Sequence, residues 1–149
     1  MILEGLITTE NEDGSMHVSA LGPHVDETFT RWQVRPFVTS ATYANLRRSS
    51  RGVVHVVDDA LLLAQVVVRR QITLPAVFED DCGFILQDAC RAFAISLHDW
   101  QIEGGRSRAE GTLQRTFELR PHWGWNRAKH GLLELAVAAT RVGIISDQE

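Results

Sequence analysis

Along the chain, apolar positions recur mostly at the two-residue spacing of strands with one buried face, and only in three places at helical spacing. Residues 2–8 read as a strand, and Asn11-Glu12-Asp13-Gly14 reads as a hairpin turn because Asp-Gly supplies the positive φ of tight turns. Residues 16–21 return as a second strand, ended at Gly22-Pro23 because proline donates nothing to a ladder. Phe29, Arg31 and Gln33 alternate with Thr30, Trp32 and Val34, which predicts a strand over 29–35. A helix is expected over 40–48, a buried strand over 53–57, and a helix from Ala60 to about residue 68 behind Asp58-Asp59. Residues 73–84, with Pro75, Gly83 and the acidic run Glu79-Asp80-Asp81, read as a loop. Strands are expected over 91–100 and 111–119 around a Gly104-Gly105 turn, and residues 121–125 connect to a final helix over 126–141.

Several antiparallel strands with a few inserted helices predict a mainly β fold with α elements, a small barrel carrying attached helices. The length of 149 residues suits one compact core. We read residues 1–120 as the barrel and 121–149 as a helical segment packed on it or on a partner. With 44% hydrophobic and 23% charged residues the chain is expected to fold. A net charge of −4 argues against general nucleic-acid or anionic-membrane binding. No apolar run approaches the ~20 residues of a membrane span, and no signal peptide is recognised, so a cytoplasmic protein is expected. Cys82 and Cys90 lack metal-ligand spacing, and neither a metal site nor a disulfide is expected.

The segment from Arg35 to Leu46 changes this picture. An arginine leaves a strand, and a helix then starts among Thr39, Ser40 and Thr42. Helix N-termini present unpaired N–H groups and about half a positive charge, and the guanidinium adds a charge-assisted donor. The same residues also suit a plain N-cap that needs no ligand. The absence of Asp or Glu from the first turn, where an ordinary helix recruits one, tilts the reading toward an anion site. Asn126-Arg127-Ala128-Lys129-His130 repeats the theme: basic residues at a helix start oppose the dipole, which suits a facing anion or acidic surface. The remainder of that helix is apolar nearly all round, which predicts burial against the barrel and a second subunit. Asp58 and Asp59 read as helix caps, His55 as a core histidine, and Trp123 and Trp125 as helix anchors rather than flavin-stacking rings. No catalytic acid or base is evident.

Three stretches carry a resemblance over almost the whole chain: Met1-Ile2-Leu3-Glu4-Gly5 with its Asn11–Gly14 turn, the Arg35–Leu46 string, and Asn126 to His130. They are similar to the family of uncharacterised proteins DUF447, which resembles the FMN-binding split barrels of the pyridoxamine-phosphate oxidase-like and flavin-reductase-like kind. His55-Val56-Val57-Asp58-Asp59 also looks like the family, with valine at 57 where threonine is expected. The resemblance implies a homodimeric split β-barrel with FMN near the subunit interface. It places the phosphate at Arg35, Thr39, Ser40 and Thr42, with Tyr43 and Asn45 beside them and Asn126, Lys129 and His130 contributing from the last helix. Family members continue into a further helical stretch, so a chain ending at Glu149 is expected to be a short or truncated member. A flavin-dependent oxidoreductase is one role this implies. The alternatives are a non-enzymatic flavin-binding module, and an interaction protein holding another phosphorylated ligand such as pyridoxal phosphate.

Overall fold

The computed structural model describes residues 1–68, 72–124 and 127–140. Strands β1 (Gly5–Glu10), β2 (Met16–Leu21), β3 (His24–Val25) and β4 (Arg31–Val34) precede helix α1 (Ala41–Ser49). Strand β5 (Arg51–Val56) and helix α2 (Ala60–Val67) follow, then the hairpin β6 (Ala76–Glu79)–β7 (Gly83–Leu86). The long pair β8 (Arg91–Glu103)–β9 (Arg106–Glu118) leads to helix α3 (Arg127–Ala139).

Seven strands form one antiparallel sheet in the order β2-β1-β5-β8-β9-β4-β3. The sheet closes because β3 continues the path of β2 beyond Gly22-Pro23. One edge of β3 pairs with β4, and on the other Ile2 bridges His24 while Leu3 donates to the Pro23 carbonyl. One bent stretch of chain thus meets β1 on one side and β4 on the other, and between its β2 half and β4 the barrel wall is split. This is the split-barrel fold.

The alternation within β1 divides the core in two. Ile7 faces the barrel interior with Val34, Val54, Ile95 and the aromatic stack of Phe29, Trp32 and Phe93. Leu6 faces outward into a second cluster with Val57, Leu63 and Val66 around α2, and Leu133 of α3. Strand β1 is therefore buried on both faces. Leu46 of α1 enters the barrel end beside Gly52, where a Cβ would lie 2.9 Å from Leu46 Cδ2. Gly5 is tighter still, since a Cβ there would lie 2.4 Å from the His55 carbonyl oxygen. Cys82 and Cys90 are free and buried.

Three expectations need correction. Residues 73–84 are not a loop: the acidic run turns a hairpin, pairing Val77 with Ile85 and Phe78 with Phe84. The strand expected over 29–35 spans only Arg31–Val34, because Phe29 has φ 57 and stands in a turn built on the Asp26 carboxylate. Strand β9 begins at Arg106, five residues before the expected start. Within the single chain, helix α3 buries Leu133 and Ala136, while Leu135 is 67% exposed. Asn126 and Trp125 lie outside the described residues.

Candidate functional site

The split in the wall opens a cleft. Ser19 to Gly22 of the bending strand form one lip, and Arg35, Pro36, Phe37, Ser40 and Thr42 form the other. The ends of α2 (Val66) and α3 (Val137, Thr140) close it from behind. Two adjoining arms of about 820 and 1510 Å³ share Ser19, Phe37, Ser40, Thr42 and Arg106. Each has room for a cofactor-sized ligand, whose pockets run to ~300–1,000 Å³.

The sequence around α1 explains the shape of the second lip. Pro36 ends the β4 run, and its carbonyl is held by the Ser107 N–H at 3.0 Å and hydroxyl at 2.8 Å. Ser40 then caps α1: its Oγ accepts from the Tyr43 N–H at 3.1 Å and donates to the Phe37 carbonyl at 2.7 Å. The first turn holds no acid, while Arg47 and Arg48 occupy the last turn, where they match the dipole. The positive end of α1 therefore faces the cleft without an internal counter-charge.

Of the residues singled out in the sequence, Arg35, Ser40 and Thr42 line the cleft together, and Thr39 lines its larger arm. Thr42 is buried, with its Oγ1 2.7 Å from Ser19 Oγ and 3.1 Å from His17 Nε2. Tyr43 instead points away and packs edge-on against Trp100 at 5.6 Å. Asn45 is buried on the far side of α1, where its Nδ2 donates to Thr9 and Asn11 and pins the helix to the β1–β2 hairpin. His130 is exposed and Lys129 half-buried on α3, and neither lines the cleft. Lys129 lies within electrostatic reach of Asp58 and helps hold that carboxyl low.

Arg106 carries no signal in the sequence that marks it for the cleft. It opens β9, stacks its guanidinium 3.8 Å from the centroid of the half-exposed Phe37 ring, and donates to the Arg35 carbonyl at 3.3 Å. Neither Arg35 nor Arg106 meets a carboxylate at ion-pair distance among the described residues. Two guanidinium groups thus flank a cluster of hydroxyls and an uncompensated helix start. Glu4, the acid on the cleft wall, sits beside Gly22 on the opposite lip. His17 and Ser19 also escaped notice, being polar positions in a strand with no motif around them.

Asp58 and Asp59 separate in role. Asp59 caps α2 by accepting from Leu61 and Leu62 N–H groups. Asp58 is buried and takes both guanidinium nitrogens of Arg120, at 2.5 and 3.1 Å, and the Trp123 N–H at 3.2 Å. Arg120 holds its carboxyl well below the usual carboxylate range. The pair ties the start of α2 to the segment leading into α3, and so supports the back of the cleft. His55 is fully buried and accepts from the Leu86 N–H; burial lowers its pKa to about 4, outweighing the pull of the Leu6 and Val53 backbone. The indole of Trp123 is 83% exposed and stands outside the cleft.

Comparison with known proteins adds two kinds of likeness. Residues 3–120 match the N-terminal domain of DUF447, a protein family of unknown function. An FMN-bound DUF447 protein of Methanosarcina mazei superposes with a TM-score of 0.81 at 19% identity, over 99% of this chain and 78% of the other. The styrene monooxygenase flavin reductase of Pseudomonas putida S12 superposes at 0.65 with 15% identity, over 79% of this chain and 80% of its own. The flavin reductase HpaC, solved with NADP+, does so at 0.69 with 14% identity, over 82% and 81%. No curated protein matches the chain significantly.

Proposed function

Because this chain belongs to the DUF447 family, we propose that its cleft binds FMN, with the phosphate held between the two lips of the split wall. The observation that carries the reading is the convergence of Arg35 and Arg106, neither paired with an acid among the described residues, on the start of α1 and the hydroxyls of Thr39 and Thr42. A phosphate monoester carries a charge of about −1.5 to −2 and strong acceptor oxygens, which is the complement of this donor set. The N–H groups of the first turn of α1 donate to the same group. Apolar Val66, Val137 and Leu74 along the arms offer the surface against which a flat ring system packs. When bound, the flavin supplies the redox chemistry; the chain binds it, orients it and limits its contact with water.

The proposal extends to a flavin-dependent oxidoreductase that works as a homodimer in the cytoplasm. The exposed Leu135 on α3 and the two free, buried thiols speak for the dimer and for a reducing compartment respectively. The test is direct. Purified protein is expected to be yellow, or to become so with added FMN, and to lose at least tenfold in affinity in the Arg35→Ala, Arg106→Ala double variant. Colourless protein that ignores FMN overturns the reading. Rapid reduction of the bound flavin by NADH or NADPH supports the enzyme, and its absence leaves a non-enzymatic flavin carrier.

A further inference from the structure

The hydroxyls in the cleft wall do not act singly. Thr42 Oγ1, buried, lies 2.7 Å from Ser19 Oγ and 3.1 Å from His17 Nε2, and all three side chains line the larger arm. A threonine hydroxyl has one proton to give, so the chain of contacts has two possible polarities. If His17 Nε2 is bare, Thr42 donates to it and Ser19 donates to Thr42, leaving the lone pairs of Ser19 toward the cleft. If His17 Nε2 bears hydrogen, Thr42 accepts from it and donates to Ser19, and the Ser19 O–H is free to donate into the cleft.

Only the second polarity suits an anion. We propose that His17 is a positioning residue that, through Thr42, turns Ser19 into a hydrogen-bond donor for the phosphate. The proposal rests on the anion-site reading of the cleft given above. The half-buried His17 ring titrates below its ordinary value because burial penalises its cation, so at neutral pH the choice lies between two neutral tautomers. The Nε2–H form orders two hydroxyls before the ligand arrives, and phosphate, once bound, holds the ring in that form. Preorganisation of this kind raises affinity without any contact between the histidine and the ligand.

The experiment is a nitrogen-15 NMR measurement of the His17 ring in the full chain, free and saturated with FMN, since the two tautomers exchange the shifts of their ring nitrogens. Nε2 is expected to be protonated in the complex, and a bare Nε2 there overturns the proposal. A second arm uses binding. His17→Leu is expected to weaken FMN about tenfold, the loss of one hydrogen bond to a charged group, while His17→Gln, whose amide N–H replaces Nε2–H, stays within about threefold. Wild-type affinity in a folded His17→Leu protein, checked by its thermal midpoint, also overturns it. If the wild type fails to bind FMN, the flavin reading fails, and the same NMR measurement with inorganic phosphate decides the relay on its own. A chain that binds neither FMN nor phosphate overturns both.

Discussion

Replacing Arg120 with methionine keeps most of the side-chain volume and removes the charge that answers Asp58. Asp58 loses contacts at 2.5 and 3.1 Å and retains the Trp123 N–H at 3.2 Å, while its side chain is 7% exposed. Breaking a buried ion pair from one side costs about 3–5 kcal/mol because the other charge stays behind. Arg120 is 33% exposed, so water can reach part of the vacated space, and the lower end, about 3 kcal/mol, is expected. For a domain of this size that lowers the melting midpoint by about 6–12 °C. The pH dependence fixes the cause. The Asp58 carboxyl is depressed in the folded chain from its ordinary value of 3.8, so the pair's contribution is whole above that pH and is lost as the pH falls through the folded value. The wild-type and Arg120→Met stability curves should therefore lie furthest apart near pH 7 and converge in acid. Adding Asp58→Asn should recover part of the loss, because the neutral amide no longer requires a counter-charge. Urea titrations of the three proteins across pH make the measurement. A gap that is constant with pH, or a double variant no better than Arg120→Met, would refute the argument that an unpaired carboxylate is the cause.

Other outcomes follow from single contacts. Ser40→Ala should cost about 1 kcal/mol of stability, as loss of an N-cap does, and should change FMN affinity little, because the hydroxyl is already engaged at Phe37 and Tyr43; calorimetry and flavin titration read the two effects separately. Gly5→Ala should destabilise by about 2–3 kcal/mol through its collision with the His55 carbonyl, seen as a lowered denaturation midpoint. His55 must stay neutral in the folded chain, with burial lowering its pKa to about 4 from an ordinary 6.5. The unfolded chain binds the extra proton between these values, so stability should fall as the pH drops from about 6.5 toward 4, and His55→Gln should flatten that slope.

What the sequence disclosed depended on how local the cause was. The start of α1 lay open because Ser40 and the acid-free turn act within a few residues, and the helix begins one position after its cap as N-cap chemistry requires. The β6–β7 hairpin stayed hidden because its turn carries the acidic run and its strands are only four residues each, too short for alternation to stand out. Arg106 was invisible for a different reason. The residues that face inward after it are Ser107 and Ala109, small enough that the run from 106 to 110 shows no apolar period. Its place in the cleft is set by pairing across the barrel, through the Phe37–Arg106 bridge, which no local pattern records. The apolar residues of α3 outnumber those this chain buries, because a single helix lying on one cluster covers one face of itself.

The double burial of β1 has a consequence for how the molecule opens. Its inward residues belong to the barrel core and its outward residues to the cluster under α2 and α3, so this strand is a party wall between two rooms. Neither room can be dismantled while the other stands. The helices that back the cleft therefore have no separate melting transition from the barrel, and amide protons of β1 should exchange with solvent only when the whole chain unfolds. A ligand held by the lips of the cleft would be felt in the slowest-exchanging protons of a strand it never touches.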